Sequence, residues 1–258
     1  MRGVFTYALV SGKGGVGKST LTYELAHAWA DAGARTLAID LDAQASLTTL
    51  FDAAPPYTVA DVLSGNRPTA AAVVNVRAGL DVLASSAALA SVEAQIGTRP
   101  ARDVVLRRAL QPIADAYDVA LIDCAPALGV LTVNALAAAR GALVVARAEA
   151  LSIAQIGDVL ALVDTLRDAI APDLAAADVL VNSYSGHVRH HSDALAAMHA
   201  AGWPMLAAVI PQTIRLADDA ATHTPLIHRE RAHAAALAIM AAHMELSRWQ
   251  KRQTDNRR

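Results

Sequence analysis

Four glycines and two lysines fall within the ten residues Ser11-Gly12-Lys13-Gly14-Gly15-Val16-Gly17-Lys18-Ser19-Thr20. Chemistry available to such a stretch is the holding of a polyphosphate. Gly12, Gly14, Gly15 and Gly17 let the backbone turn tightly and aim several N–H groups at phosphate oxygens. Lys18 is spaced to reach the β- and γ-phosphates, and Ser19 to offer its hydroxyl to Mg²⁺. With Val16 inside it and Thr20 behind it, the run Gly12 to Ser19 meets the full GxxxxGK[ST] spacing, a far more specific signal than an isolated GxGxxG. A glycine-rich turn without a ligand needs no such spacing. Lys13 is a second cation in the loop, and cradling one nucleotide does not require it.

Three acidic residues can complete a magnesium nucleotide site. Open parallel sheets bind ligands beyond the carboxyl ends of their strands, and Asp40, Asp42 and Asp123 each close an apolar run. Asp123 follows Val119 to Ile122 and is expected to hold Mg²⁺ through a water. Asp40 and Asp42 point the same way if their strand continues through both. Asp42 lies farther out and is expected to orient the attacking water, with Asp40 supporting the metal or Lys18. Those last two roles are open to exchange. Cys124 has no histidine base beside it in sequence, so it is read as a buried filler and not a nucleophile.

The elements that must position these residues are legible from punctuation and periodicity. Val4 to Val10 reads as a strand, Leu21 to Ala32 as a helix stopped by Gly33, and Arg35 to Leu41 as a second strand, making a βαβ unit with a parallel sheet. A short helix is expected over Tyr57 to Leu63 with Gly65 as its cap, whereas Val73 to Val76 is ambiguous. Leu80 to Ala84 reads as a strand and Arg99 to Ala116 as a helix that Pro112 can end early. Further strands are expected at Tyr117 to Asp123, Ala142 to Ala146, Asp178 to Asn182 and Met205 to Ile210, with helices at Ala127 to Ala139 and Ser152 to Ile170. A terminal helix, His228 to Trp249, is expected to dock by Leu237, Met240 and Met244. The tail Lys251 to Arg258 is basic and expected to be disordered. Residues 1–250 thus form one domain.

Composition narrows the function classes. A formal charge of −2 over 258 residues argues against a wholesale basic nucleic-acid binder, leaving room for a local patch. One cysteine excludes an internal disulfide and fits a reducing compartment. The amino terminus runs into the glycine loop at once, which a cleavable leader would not do. The long stretch Ala194 to Ile214 lacks Asp, Glu, Lys and Arg but is broken by His199, Gly202 and Pro204, so helix, turn and strand are expected and not a membrane span. A cytoplasmic protein is expected.

Several separated motifs, in order, resemble the ParA/MinD family of deviant Walker A ATPases. They are Lys13-Gly14-Gly15-Val16-Gly17-Lys18-Ser19, Asp40-Leu41-Asp42-Ala43-Gln44 with alanine where the family has proline, and Asp123-Cys124-Ala125-Pro126. Glu149-Ala150-Leu151-Ser152 is similar to the family's segment before a long helix, and Ile210 to Leu216 resembles the ParA signature Ile-Pro-Arg-x-x-Arg-Leu. The likeness covers roughly residues 4 to 240 and is nearest to short ParA or Soj-like forms, since no amino-terminal helix-turn-helix precedes the first strand. It implies a single-domain α/β P-loop NTPase fold with a mostly parallel central sheet flanked by helices, and hydrolysis of ATP with Mg²⁺. It also implies that Lys13 crosses a homodimer interface to the partner's phosphates, and that Asn182 and Pro211 lie near the adenine. The ATP-bound dimer would bind double-stranded DNA without sequence preference through Arg215, with Arg189 as a second candidate, and would associate with the nucleoid. A ParB-like centromere-binding protein would stimulate hydrolysis. Gln212 departs from the family's first arginine in that motif, and the loop Gly186-His187-Val188-Arg189-His190-His191 departs from its usual pattern. The histidines there lack metal-site spacing, and a polar or phosphate-facing loop is the preferred reading. The terminal helix lacks a cationic amphipathic face, so a MinD-like membrane role is the weaker reading. Other readings are a ParA-like positioner of another cargo, an iron–sulfur ATPase, disfavoured by the single cysteine, and a small-molecule kinase, disfavoured by Lys13 and the Pro211 to Leu216 motif.

Overall fold

Successive residues of the strand Phe5–Val10 (β1) go to opposite faces of one sheet. Phe5, Tyr7 and Leu9 join one apolar cluster, and Ala8 and Val10 the other. Period-two alternation with both sets apolar is what a strand covered by helices on both faces requires. The computed structural model describes residues 4–174 and 177–255. Its further strands are Thr36–Leu41 (β2), Val73–Arg77 (β3), Leu80–Leu83 (β4), Val119–Cys124 (β5), Gly141–Arg147 (β6), Ala177–Tyr184 (β7) and Met205–Pro211 (β8). The sheet order is β3-β4-β2-β5-β1-β6-β7-β8. Every neighbouring pair is parallel except β3 with β4. The fold is therefore the single-domain α/β P-loop arrangement that the resemblance implies.

Helices Lys18–Asp31, Leu226–Arg229 and Ala234–Asp255 cover one face of the sheet, and Val59–Ser64, Ala88–Gly97, Val130–Ala138 and Ala150–Ala169 the other. The order of strands places β5, β1 and β6 centrally, so the carboxyl ends of β2, β5 and β1 lie side by side. Asp40 pairs in register with Asp123, and Asp123 with Leu9. The short helix Val59–Ser64 ends at Gly65 with φ 86°, a left-handed cap as expected. The helix Ala150–Ala169 buries Ile156, Val159 and Val163.

Three local expectations are corrected and one ambiguous stretch is settled. Arg99 to Ala116 is not one helix: an α-turn at Val105–Leu110 lies between 3₁₀ segments Arg102–Val104 and Gln111–Ala116. Pro112, with no N–H to donate, sits where the tighter helix takes over. Val73 to Val76 belongs to β3, the edge strand. The terminal helix does not dock by Leu237 and Met244, which are 57% and 50% exposed. Ala235, Ala236, Ile239, Ala242 and Leu246 are its buried residues, with Met240 only partly covered. Alanine allows a close helix-to-sheet approach, so the large side chains were not needed at the contact. The helix also continues through Lys251 to Asp255, where a disordered tail was expected; residues 1–3 and 256–258 lie outside the described residues. Among the described residues no helix is long and apolar enough to cross a membrane.

Candidate nucleotide site

The loop after β1 turns on glycine. Gly15 and Gly17 have φ of 73° and 93°, conformations that side-chain-bearing residues rarely adopt, and Gly17 opens the helix Lys18–Asp31. A Cβ on Gly17 would collide with Asn182 Nδ2, and one on Gly12 would press within 2.7 Å of the Gln155 side chain. The loop is thus packed from beneath as well as turned. Lys18 is buried, and its Nζ donates to Ser11 Oγ at 2.9 Å, while Ser11 Oγ donates to the Lys13 carbonyl at 2.8 Å. Ser11 therefore holds the lysine in the loop without neutralising it. Sequence reasoning missed this role, since a serine before the loop has no spacing signal of its own.

Asp123 sits at the end of β5, fully buried, and neither carboxylate oxygen has a hydrogen-bond partner among the described residues. Burial, and then the nearby charge of Asp40, push its pKa up to about 7, with Ser19 and Lys18 acting to lower it. An orphaned buried carboxylate beside a serine hydroxyl fits a hydrated Mg²⁺, whose positive charge would replace the missing partners. Asp40 differs. Its Oδ1 accepts the Asp42 N–H at 3.1 Å, and its Oδ2 accepts both the N–H and hydroxyl of Thr48 at 2.8 and 2.7 Å. Burial raises it to about 6 in spite of those bonds. Asp40 stands in register beside Asp123, and its carboxylate organises the turn after β2. Thr48, which sequence reasoning also missed, continues that network by accepting the Ser85 N–H at 2.8 Å.

Asp42 lies just past the end of β2, half-buried, with its Oδ1 accepting the Gln44 N–H at 2.9 Å. Thr20 lies in the first turn of the helix after the loop. Asn182 is buried and donates to the Val16 carbonyl at 2.7 Å, so its amide braces the phosphate loop. Pro211 ends β8 opposite Tyr184, half-buried. Lys13 points to the exposed side of the loop, and its Nζ lies 3.2 Å from Glu149, which also pairs with Arg147 at 3.4 Å. Cys124 is buried in the core, and burial pushes its thiol well above the usual range, so it is no nucleophile.

Arg189 and Arg215 are far apart in character. The Arg189 side chain is 95% exposed at the start of the helix Arg189–Ala200, with Asp193 at 4.0 Å. Arg215 stands 3.6 Å from Glu230 and 3.9 Å from Asp218. Gln212 donates its backbone N–H to Tyr184 at 2.7 Å. In the histidine loop, His191 Nδ1 accepts the Ser185 N–H at 3.0 Å.

Comparison with known proteins agrees with this geometry. The family described as AAA domain matches residues 5–176. The chain is 32% identical over 227 residues to the chromosome partitioning protein ParA of Caulobacter vibrioides, 85% of each chain being covered. It is likewise 32% identical over 212 residues to the chromosome-partitioning ATPase Soj of Thermus thermophilus, at 82% of each. Among solved structures, cobyrinic acid a,c-diamide synthase from Mycobacterium smegmatis with bound ATP analog and magnesium superposes with a TM-score of 0.85, 31% identity and 96% coverage of each chain. ATP and Mg²⁺ are the cofactors of this protein. When bound, Mg²⁺ would offset charge on the phosphate oxygens, and Lys18 would add a buried positive charge beside them. A phosphate loop, an orphaned strand-end carboxylate and relatives at this identity converge on one assignment: the chain belongs to the ParA/MinD family of P-loop ATPases and is an ATP hydrolase.

Proposed function

We propose that the protein is a partition switch: ATP binding makes a homodimer, the dimer holds DNA without sequence preference on the nucleoid, and hydrolysis releases it. The observation that carries this reading is Lys13. Its own nucleotide is served by the buried Lys18, yet Lys13 extends from the loop's exposed side, its side chain 42% accessible. The segments that flank the loop there, around Pro126 and Gln155, also leave Leu128 and Leu151 exposed, Leu151 at 73%. A cation between exposed apolar residues suits a second subunit that brings its own phosphates. Lys13 would exchange Glu149 for those phosphates, which makes association depend on ATP. Ser19 and, through water, Asp123 would hold Mg²⁺, Asp42 would orient the attacking water, and Asn182 and Pro211 would border the adenine. Arg215 and Arg189 would contact DNA phosphates, and a ParB-like protein would stimulate hydrolysis.

DNA retention measured with Mg-ATP and with Mg-ADP tests this reading. Retention is expected only with ATP, and it should weaken for Arg215→Glu; equal retention with both nucleotides would contradict the switch. The similarity to a structure named as a diamide synthase favours a second reading, in which ATP serves amide formation on a small molecule. Stimulation of phosphate release by a carboxylic acid with an ammonia source, and not by DNA, would select it.

A further inference from the structure

The helix that opens at the phosphate loop carries Glu24, about 7.5 Å along its axis from Ser19. Glu24 is fully buried, and its two carboxyl oxygens accept the backbone N–H groups of Leu226 and Ile227. Beside it lies Asp219, also fully buried. Asp219 Oδ1 accepts from Arg229 at 2.6 Å, but Oδ2 has neither N–H nor hydroxyl partner among the described residues. Two carboxylates facing each other in the interior, one with an orphaned oxygen, are satisfied together by a single proton between them. Arg229 then carries the arrangement outward: its Nη2 donates to the Arg215 carbonyl and its Nε to the Thr224 carbonyl, both at 2.8 Å.

We infer that Glu24 is a positioning residue that fixes the segment bearing Arg215 to the phosphate-loop helix through a proton held between the Glu24 and Asp219 carboxyls. This rests on the reading of Arg215 as a DNA contact. The chain of contacts runs from Glu24 to Asp219, Arg229 and Arg215, so the helix that holds Lys18 and Ser19 also sets where Arg215 stands. Charged and titratable groups facing the pair are Asp218, Arg229 and Tyr23, with Arg77 acting on Tyr23 and Glu230 on Arg215. Burial, and then the contact with Asp219, raise Glu24 to about 8. A proton held that tightly is present in the neutral range and leaves as pH rises through 8. The segment is therefore docked more firmly while the proton is held and loosened as rising pH removes it.

Hydrogen exchange of the Leu226 and Ile227 amides in the full chain, corrected for intrinsic exchange between pH 6.5 and 9, tests the inference. DNA retention in Mg-ATP is followed over the same range. In the wild type, protection should fall above pH 8 by up to about tenfold per pH unit, as loss of one proton requires, with retention falling in parallel. Glu24→Gln keeps a donor for Asp219 and an acceptor for one of the two amides, so the protection of that amide should be flat with pH while the other loses its acceptor; Glu24→Ala should lose protection of both throughout. Thermal melting identifies any variant that fails to fold, and Glu24→Gln keeps the comparison meaningful if Glu24→Ala does. A Glu24→Gln profile that titrates like the wild type, or wild-type protection that is already flat, overturns the inference. Protection that titrates as expected while retention does not move leaves the docking proton in place and overturns the reading of Arg215.

Discussion

The two charged regions of this molecule are built on opposite plans. At the carboxyl ends of β1 and β5, Lys18 rests on a neutral hydroxyl and the Asp123 carboxylate makes no hydrogen bond among the described residues. In the segment from Arg215 to Glu230, by contrast, Arg229 is matched to Asp219 and Arg215 to Glu230 and Asp218. A buried charge without a partner is costly, and the cost is recovered only when a ligand arrives with the opposite charge. The first region is therefore incomplete by itself, and magnesium nucleotide completes it. The second is neutralised within the chain, so a polyanion must compete with Glu230 for Arg215. The difference predicts tight, specific nucleotide binding and weak, salt-sensitive DNA binding from one protein.

Substitutions can break this contrast at either side. Lys18→Met should leave the fold intact and lower kcat by about 10²–10³-fold, as loss of a preorganised positive group on the phosphates requires; phosphate-release assays read it. Asp123→Asn should lower hydrolysis by about 10–100-fold. It should also raise the melting temperature of the nucleotide-free protein, because it removes an unpaired buried charge. A variant that loses activity and stability together would mean that Asp123 is satisfied in the free protein. On the other side, Arg215→Glu should weaken DNA retention in Mg-ATP by roughly tenfold and lower the salt slope by about 1. Glu230→Gln should strengthen retention, since it removes the nearer of the two carboxylates paired with Arg215.

The smallest effect lies between the two regions, at His27. Its ring nitrogens are buried without partners, and burial, then the charges of Arg77 and His228, lower its pKa to about 3. A pKa depressed in the folded state gives stability that is complete above about 6.5 and is lost as pH falls toward 3. His27→Leu should flatten that acid limb and offset a wild-type loss near pH 5 of about 4–8 °C in melting temperature.

What the sequence made legible follows the same division. The phosphate loop could be read because backbone geometry demands glycine at positions such as Gly15 and Gly17, and the strand ends because Asp40 and Asp123 interrupt apolar runs. Which carboxylate stays free could not be read, because that depends on Thr48, eight residues beyond Asp40 and brought back by the turn. The docking face of the terminal helix was hidden for another reason. In an alanine-rich helix, size points to Leu237 and Met244, whereas close packing selects Ala235, Ala236 and Ile239. Glu24 gave no signal, as its partners lie about 200 residues away.

Conversion of this chain by ATP into a two-subunit switch is read from the mass in solution of Asp42→Ala. With hydrolysis slowed, the variant is expected to be a dimer in Mg-ATP and a monomer in Mg-ADP. A monomer in both nucleotides, with ATP shown to be bound, would contradict the account.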